Sequence, residues 1–298
     1  MRPKIVLTGP YPMHSKYQQY LDLALKAAHQ AGELIRKAIG ESHHIDKKGR
    51  INLVTEVDKA SEDLIFSLIR NTFPEHSILG EEQGQVIGSN SQCRWIIDPL
   101  DGTTNFTSGY PFFAVSIAFE QNGQVVVGVV HDPCHEETFH AVFGEGAYLN
   151  GHPIHVSDNA NLEDALLVTG FPYDVSSSPD IHLGMFRDLI LKARGVRRDG
   201  SAALDLCYIA CGRFDGYWEL GLSPWDIAAG SLIVKESGGT MSDFLGKPHN
   251  MLYRDLMASN GKIHPALLEA AQIYIEALRH SPYWIEKGER IDHSTYRK

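Results

Sequence analysis

The residues whose chemistry stands out in this sequence are two carboxylates, Asp98 and Asp101, at the end of an apolar run from Trp95 to Ile97. The run predicts a buried strand, and Pro99 predicts the end of that strand because proline cannot donate to a strand ladder. Two acids held together in a loop are costly unless a cation neutralises them. The pattern therefore favours a binding site for a hard divalent cation.

The next residues, Gly102, Thr103 and Thr104, predict an anion-binding site beside that cation site. Glycine frees the backbone to turn, and the threonines can cap a new helical turn whose open N–H groups bind anions. Each piece alone is typical of an ordinary turn. The prediction of a cation site next to a phosphate-binding site therefore depends on the whole string from Trp95 to Phe106.

This string closely resembles the signature of the inositol monophosphatase family of metal-dependent phosphatases. Further segments of the chain resemble other motifs of that family, and they occur in the same order. These segments are 52–58 (Asn-Leu-Val-Thr-Glu-Val-Asp), Gly80-Glu81-Glu82, 225–230 (Trp-Asp-Ile-Ala-Ala-Gly) and 237–240 (Ser-Gly-Gly-Thr). The resemblance implies a layered αβαβα sandwich of the inositol monophosphatase and fructose-1,6-bisphosphatase type. It also implies a phosphatase with two to three Mg²⁺ ions per active site.

The resemblance assigns roles position by position. The implied metal ligands are Glu81, Asp98, the backbone carbonyl of Leu100, Asp101 and Asp226. The implied catalytic residues, which orient the attacking water, are Glu81, Thr103 and Asp58, and Lys47 is implied to lie on a mobile loop beside the metals. The implied substrate-binding residues are Gly102, Thr103, Gly200, Ser201, Ala202, Glu219 and Asp226. Independently of the family, clustered acids are all-oxygen ligands, which suit Mg²⁺ better than zinc or copper.

Each of these acids also has a purely structural interpretation. Asp58 is a candidate N-cap for the helix that follows it. Asp226 lies in the first turn of a helix, where the backbone dipole favours an acid. Glu81 with Glu82 is typical of surface charge, and Glu219 is typical of a solvated strand end, although a carboxylate there also suits a polyol or an amine.

The leading functional hypothesis is hydrolysis of myo-inositol monophosphate by an inositol-phosphate phosphatase. The resemblance further implies lithium sensitivity and a homodimer. Histidinol phosphate, fructose 1,6-bisphosphate and 3′-phosphonucleotides are alternative substrates, and a second phosphate would call for extra cations, for which Arg197 and Arg198 are the obvious cluster. A hypothesis of another class is a regulatory binding protein on the same scaffold.

Composition narrows the function classes. The chain has 298 residues, 43% hydrophobic and 21% charged, with a formal net charge of −10, which argues against nucleic acid as the main partner. The cysteines form no Cys-x-x-Cys pair and suit a reducing compartment. No signal peptide or membrane span is predicted, so we expect a cytoplasmic protein. The resemblance implies that its partner is a small phosphorylated substrate. None of the histidines has zincin spacing.

Periodicity and turn signals divide the chain into an N-terminal α+β subdomain, 1–155, and a C-terminal α/β subdomain, 156–298. In the first part we expect an extended arm to about residue 14, a helix over 17–39, a short strand or hairpin within 41–57, a strand at 77–80 and a loop at 83–93. A meander should follow, through a tight turn at Asn122-Gly123 and a further strand around 137–142. In the second part we expect strands at 165–170, 196–198, 214–220 and 256–259, and helices at 182–193, 202–211, from 223 and at 265–278. We also expect Ser201 to cap the helix at 202–211, and a loose tail from His280.

Overall fold

The computed structural model of this chain describes residues 16–40, 45–47 and 53–284. The helices in these residues are α1 Gln18–Ala38, α2 Glu56–Thr72, α3 Thr103–Thr107, α4 Pro179–Ile190, α5 Ala202–Ala210, α6 Pro224–Glu236, α7 His264–Gln272 and α8 Ile275–Arg279. The expected N-terminal arm and the side chain of Lys47 lie outside the described residues, so the structure says nothing of them.

The strands form three sheets. A short antiparallel hairpin consists of β1 Ile45–Lys47 and β2 Leu53–Thr55. An eight-stranded sheet, in the order β10-β9-β8-β7-β6-β5-β3-β4, consists of β3 His76–Gly80, β4 Gly84–Val86, β5 Asn90–Asp101, β6 Ala114–Gln121, β7 Gln124–Asp132, β8 Glu137–Val142, β9 Ala147–Leu149 and β10 His152–Pro153. A five-stranded sheet, in the order β12-β11-β13-β15-β14, consists of β11 Leu166–Thr169, β12 Gly195–Arg197, β13 Gly216–Leu220, β14 Thr240–Ser242 and β15 Asp255–Ser259.

The large sheet is mostly antiparallel and is buried on both faces. Alternation along β5 sends Trp95 and Ile97 to one face, where they join a core with α1 and α2, and Ile96 to the other, where it joins a core with α5 and α6. Burial of both faces explains why β5 and β7 read as continuous apolar runs.

The smaller sheet completes the layering. One of its faces shares the α5 and α6 core through Tyr217 and Ala258, and the other packs against α4 and α7 through Trp218 and Met257. The order helix, sheet, helix, sheet, helix is the αβαβα sandwich that the sequence predicts. Among the described residues no helix is long and apolar enough to cross a bilayer.

The most regular turn lies between β6 and β7. Asn122 and Gly123 both adopt positive φ, 54° and 77°, which is the backbone of a two-residue hairpin turn. The predicted hairpin is therefore confirmed, and so are the long helix α1, the strand β8, and the capping of α5 by Ser201, whose Oγ accepts from the N–H of Leu204.

Several predictions about the first half were wrong. Strand β5 does not end at Pro99 but continues to Asp101, because the register against β6 shifts between Asp98 and Asp101 and the bulge absorbs the proline. The segment 83–93 is not a loop, since β4 pairs with β3 and β5 begins at Asn90. Polar residues misled the prediction because β4 is an edge strand, where polar side chains are tolerated.

Predictions about the C-terminal region were also partly wrong. The expected single helix over 265–278 is two helices, and the break between them lets Tyr274 pack against Gly184 of α4. The segment from His280 to 284 is not loose, because Tyr283 is buried and its hydroxyl donates to Asp174 Oδ1 at 2.5 Å. Strand β14 was not predicted.

Candidate active site

The two central acids lie on the bulge at the end of β5. The N–H of Leu100 donates to Asp98 Oδ1 at 3.0 Å, which fixes the Asp98 carboxylate against its own turn. Gly102 follows with φ of 98° and is the N-cap of α3, so the prediction that Thr103 or Thr104 caps this helix was wrong. A Cβ at Gly102 would lie 3.1 Å from the Phe112 carbonyl oxygen and 3.2 Å from that of Gly200, so the position also requires glycine for space.

Asp58 is tied to this turn through Thr103. The hydroxyl of Thr103 donates to Asp58 Oδ1 at 2.8 Å, with the Leu100 carbonyl oxygen as a second acceptor at 3.1 Å. Asp58 Oδ2 accepts from the backbone N–H and the hydroxyl of Thr55, at 2.8 and 2.5 Å. The N-cap of α2 is therefore Thr55, and Asp58 is its capping-box partner at the third helical position, which corrects the N-cap interpretation of Asp58.

Glu81 directly follows β3, which runs parallel to β5. In that pairing Gly80 lies opposite Ile97, so Glu81 and Asp98 leave the same edge of the sheet. Carboxyl ends of neighbouring parallel strands meet at one edge, which brings residues distant in sequence together there.

Asp101 joins the two halves of the chain. Its Oδ2 accepts from the Ser201 hydroxyl at 2.6 Å and from the N–H of Ala203 at 2.8 Å, at the start of α5. The Asn105 amide strengthens the same junction, because its Nδ2 donates at 2.7 Å both to the Phe112 carbonyl oxygen and to that of Asp199. The C-terminal half therefore contacts the acidic turn directly.

Asp226 reaches the same region from α6. It lies at the third helical position, and its Oδ2 accepts from the N–H of the N-cap residue Ser223 at 2.7 Å, so its structural interpretation is confirmed. It is nonetheless close enough to the other acids to affect their charge. The pKa of Asp98 is raised well above its usual value by burial and then by Glu81, Asp101 and Asp226.

The other two aspartates show the same effect. Burial raises the pKa of Asp101 to about 6, although its bonds to Ser201 and Ala203 oppose the rise. Burial, and after it the Asp101 charge, raises the pKa of Asp226 to about 8. Neighbouring carboxylates therefore destabilise the ionised forms of Asp98 and Asp226, which is the electrostatic condition that a bound cation relieves.

The donor set of this site consists of carboxylate oxygens, which suit Mg²⁺. Within residues 16–40, 45–47 and 53–284, no group of three or more His, Cys, Asp or Glu side chains meets the geometry of a metal site. Mg²⁺ does not need such a cage, because it usually takes one or two carboxylates and completes its shell with waters and phosphate oxygens. The acids of this site supply oxygen ligands alone, with Asp98 buried and Glu81, Asp101 and Asp226 half-buried, and they fit that mode of binding.

Glu219 lies on β13 of the smaller sheet, close enough to Asp101 for that acid to raise its pKa. Tyr217 is fully buried and donates its hydroxyl to Glu219 Oε2 at 2.5 Å, while burial raises the pKa of Glu219 to about 7. A Cβ at Gly170 would lie 2.0 Å from that same oxygen, so a glycine there makes room for the carboxylate. Glu219 is thus a held, half-buried acid rather than a solvated strand end.

Two residues at the site escaped the sequence analysis. Tyr173, in the loop between β11 and α4, lies within hydrogen-bonding reach of the Thr104 side chain, and its pKa is raised by burial and then by Glu81. The only sequence signal for it was a polar-aromatic residue soon after a strand end. Asn105 belongs to the recognised string, but its role as a bridge to Asp199 depends on a contact across 94 positions.

Comparison with known proteins agrees with this geometry. The family model described as "Inositol monophosphatase family" matches residues 16–276. The chain is 46% identical to the Nus factor SuhB of Pseudomonas aeruginosa over 264 residues, 87% of this chain and 97% of that protein. It is 43% identical to an inositol-1-monophosphatase of Synechocystis sp. over 274 residues, 92% of this chain and 93% of that protein.

A solved structure extends the comparison to the fold. The structure of inositol monophosphatase from Anabaena (Nostoc) sp. superimposes with a TM-score of 0.78 at 42% identity, covering 90% of this chain and 98% of that one. The residues that the family model matches, 16–276, include the eight-stranded and the five-stranded sheet and the four acids Glu81, Asp98, Asp101 and Asp226. The chain belongs to the inositol monophosphatase family.

Proposed function

We propose that this protein is a Mg²⁺-dependent phosphatase that hydrolyses myo-inositol monophosphate to inositol and phosphate. The observation that carries the proposal is that Glu81, Asp101 and Asp226 all lie close enough to Asp98 to raise its pKa, although the four acids come from three separate segments of the chain. Membership of the family, and the name of the Synechocystis relative, support the substrate.

In this proposal the cations are held by oxygen atoms alone. Glu81, Asp98 and the carbonyl of Leu100 would hold one Mg²⁺, Asp98, Asp101 and Asp226 a second, and a third would bind more weakly near Glu81. Bound Mg²⁺ neutralises phosphate charge and lowers the pKa of a coordinated water. Two to three cations would offset the charge of these acids and so admit an anionic substrate.

Thr103 and Asp58 would hold the attacking water, together with Glu81. The Thr103 hydroxyl donates its hydrogen bond to Asp58, so the lone pairs of its oxygen can accept a hydrogen bond from the water. Asp58 also accepts two bonds from Thr55, which keeps its carboxylate from rotating away. The pair would thereby orient the water for in-line attack on phosphorus.

The phosphate and the alcohol would occupy opposite sides of Asp101. The N–H groups of Gly102 and Thr103 would bind phosphate oxygens, and Asp226 would border the ester. The alcohol would face Gly200, Ser201, Ala202 and Glu219. The Ser201 hydroxyl already donates its hydrogen bond to Asp101, so we assign the contact of Ser201 with the substrate to its backbone.

The charges around Glu219 favour an alcohol without a second phosphate. Arg198 is exposed and lowers the pKa of Glu219, but Asp199 lies in the same region, half-buried, and its carboxylate would repel a further anion. The test is a phosphate-release assay over inositol, histidinol, fructose and nucleotide phosphates, with Mg²⁺ and then with chelator. Turnover of inositol phosphate is expected to dominate and to require Mg²⁺; faster turnover of another ester would replace the substrate assignment.

Three further properties belong to the same proposal. Lithium is expected to inhibit phosphate release, and sedimentation is expected to give a homodimer. The name Nus factor SuhB, carried by the Pseudomonas relative, favours a second, regulatory role for this scaffold. Complementation of a deletion strain by Asp101→Asn, which should release no phosphate, separates that role from catalysis.

A further inference from the structure

Helix α2 presents a row of buried polar side chains to the edge of the large sheet. Asp58, Ser61 and Glu62 are 1%, 0% and 0% exposed. Residues three and four apart lie on one face of a helix, so the three side chains point to the same region. A carboxylate is almost never buried this completely unless it is paired. The burial of Glu62 therefore indicates that its carboxylate has a structural role.

Each member of this row holds a different segment of the acidic site. Asp58 accepts from Thr103, just after Asp101. Ser61 donates its hydroxyl to the Pro99 carbonyl oxygen at 2.9 Å, between Asp98 and Asp101. The third segment is the turn that begins with Glu81, and it is held by Glu62.

The contacts of Glu62 fix that turn through its backbone. Glu62 Oε1 accepts from the N–H of Glu82 at 2.9 Å, and Oε2 accepts from the N–H of Gln83 at 2.8 Å. Hydrogen bonds to an ionised acceptor are about twice as strong as neutral ones. Because each oxygen serves one N–H, an amide in place of the carboxylate would put an NH₂ donor against an N–H donor.

The neighbouring strand leaves space for this arrangement. A Cβ at Gly80 would lie 2.2 Å from Glu62 Oε1 and 2.9 Å from the Phe66 ring. Gly80 immediately precedes Glu81, so a side chain at Gly80 would push the carboxylate away from the turn that it holds. The glycine and the buried acid therefore depend on each other.

We infer that Glu62 is a positioning residue for Glu81: by accepting from the next two N–H groups, it sets the direction in which Glu81 faces Asp98. Glu62 itself binds neither metal nor substrate. The inference rests on the proposed function, because it takes Glu81 as a Mg²⁺ ligand. Outer partners of metal ligands commonly change metal affinity by roughly 10–100-fold when they are replaced.

The test compares Glu62→Gln with the matched control Asp63→Asn. Asp63 is the next residue of α2, is exposed, and accepts only from the Gln83 side chain in the contacts described, at 2.8 Å. Both variants remove one negative charge beside the same turn. Titration calorimetry with Mg²⁺ alone is expected to show binding about tenfold or more weaker for Glu62→Gln, and near wild-type binding for Asp63→Asn.

A kinetic measurement separates positioning from general damage. At saturating Mg²⁺, the KM of Glu62→Gln for inositol monophosphate should stay within about twofold of wild type, while the Mg²⁺ concentration for half-maximal activity rises about tenfold. Should Glu62→Gln fail to fold, as judged by circular dichroism, Gly80→Ala takes its place, since it displaces the carboxylate and is expected to give the same loss of Mg²⁺ affinity.

Two results would overturn the inference in different ways. Wild-type Mg²⁺ affinity in the folded variant, with an active wild-type enzyme, would remove Glu62 from the site and leave the proposed function standing. A wild-type protein that binds no Mg²⁺ and releases no phosphate would remove both together.

Discussion

Ser201 and Asp101 lie 100 positions apart in the chain, yet the Ser201 hydroxyl donates to Asp101 Oδ2 at 2.6 Å. The same hydroxyl oxygen accepts from the N–H of Leu204 and caps α5. One side chain therefore both begins a helix of the C-terminal half and holds an acid of the N-terminal half. Folding of the two halves and assembly of the acidic site are coupled at this residue.

Replacement of Ser201 by alanine should lower both stability and activity. Loss of the cap and of the bond to Asp101 is expected to reduce the free energy of unfolding by about 1–2 kcal/mol. Urea unfolding measures the change. Ser67→Ala is the control, because Ser67 is exposed and accepts only a long bond from Asn71 at 3.4 Å among the contacts described. Equal stability of the two variants would show that the Asp101 contact carries no energy.

Thr103 offers a test of water activation that leaves the shape of the site intact. Thr103→Val keeps the branched side chain but removes the hydroxyl, and we expect kcat to fall roughly 10²–10⁴-fold with little change in KM. Thr103→Ser keeps the hydroxyl near Asp58 and should retain most of the activity. Steady-state kinetics of the pair decides the matter: an active valine variant would exclude Thr103 from the chemical step.

Two glycines with positive φ separate backbone strain from close contact. Gly102 has φ of 98° and tight neighbours, whereas Gly123 has φ of 77° and no atom within 4 Å of an added Cβ. Alanine at either position should cost about 1–2 kcal/mol of stability through its backbone alone. Only Gly102→Ala should also abolish phosphate release, because its Cβ crowds the Phe112 and Gly200 carbonyls. Parallel melting curves and activity assays of the two variants make the comparison, and loss of activity in Gly123→Ala would invalidate it.

A buried histidine on β7 predicts loss of stability in acid. His131 Nδ1 and His29 Nε2 both lie 3.0 Å from the Thr138 hydroxyl oxygen, and burial followed by the nearby His29 lowers the pKa of His131 to about 4. In the unfolded chain the His131 imidazole takes up a proton near pH 6.5, whereas in the folded chain it stays neutral until about pH 4. The free energy of unfolding therefore falls as pH drops from 6.5 towards 4.

The expected contribution of His131 to this loss is on the order of 2 kcal/mol by pH 4. His131→Asn places a polar atom near Nδ1 that does not titrate, and it should flatten the dependence of unfolding free energy on pH. Burial also lowers the pKa of His140 and His182 to about 4, so part of the slope should remain. Urea unfolding at pH 7, 5.5 and 4.5 measures this dependence. The same change of unfolding free energy with pH in the variant and in wild type would show that His131 does not cause the loss of stability.

The sequence predicted those features that follow from local pattern. The periodicity of α1, the Asn122-Gly123 turn and the Ser201 cap depend on neighbouring residues alone, and each was found. Strand β4 and the continuation of β5 past Pro99 depend on a partner strand, which a local pattern does not contain. Tyr283 is similar, because only its distant partner Asp174 reveals that the segment is packed.

The candidate site shows the same division. The acids at Asp98 and Asp101 stand out by spacing, and Asp226 and Glu81 followed from resemblance to a family. Glu62 did not stand out, because a glutamate inside an amphipathic helix is typical of a solvated face. Its burial, and its bonds to two N–H groups 20 and 21 positions away, exist only in the folded chain.

The central claim is that carboxylates from both halves of the chain bind the same divalent cations. Anomalous diffraction from crystals soaked with Mn²⁺, which accepts the same oxygen ligands as Mg²⁺, together with inorganic phosphate, tests it most directly. We expect a metal peak bound jointly by Asp98, Asp101 and Asp226, with phosphate beside Gly102. A peak bound only by residues of the N-terminal half, with Asp226 left without metal, would contradict it.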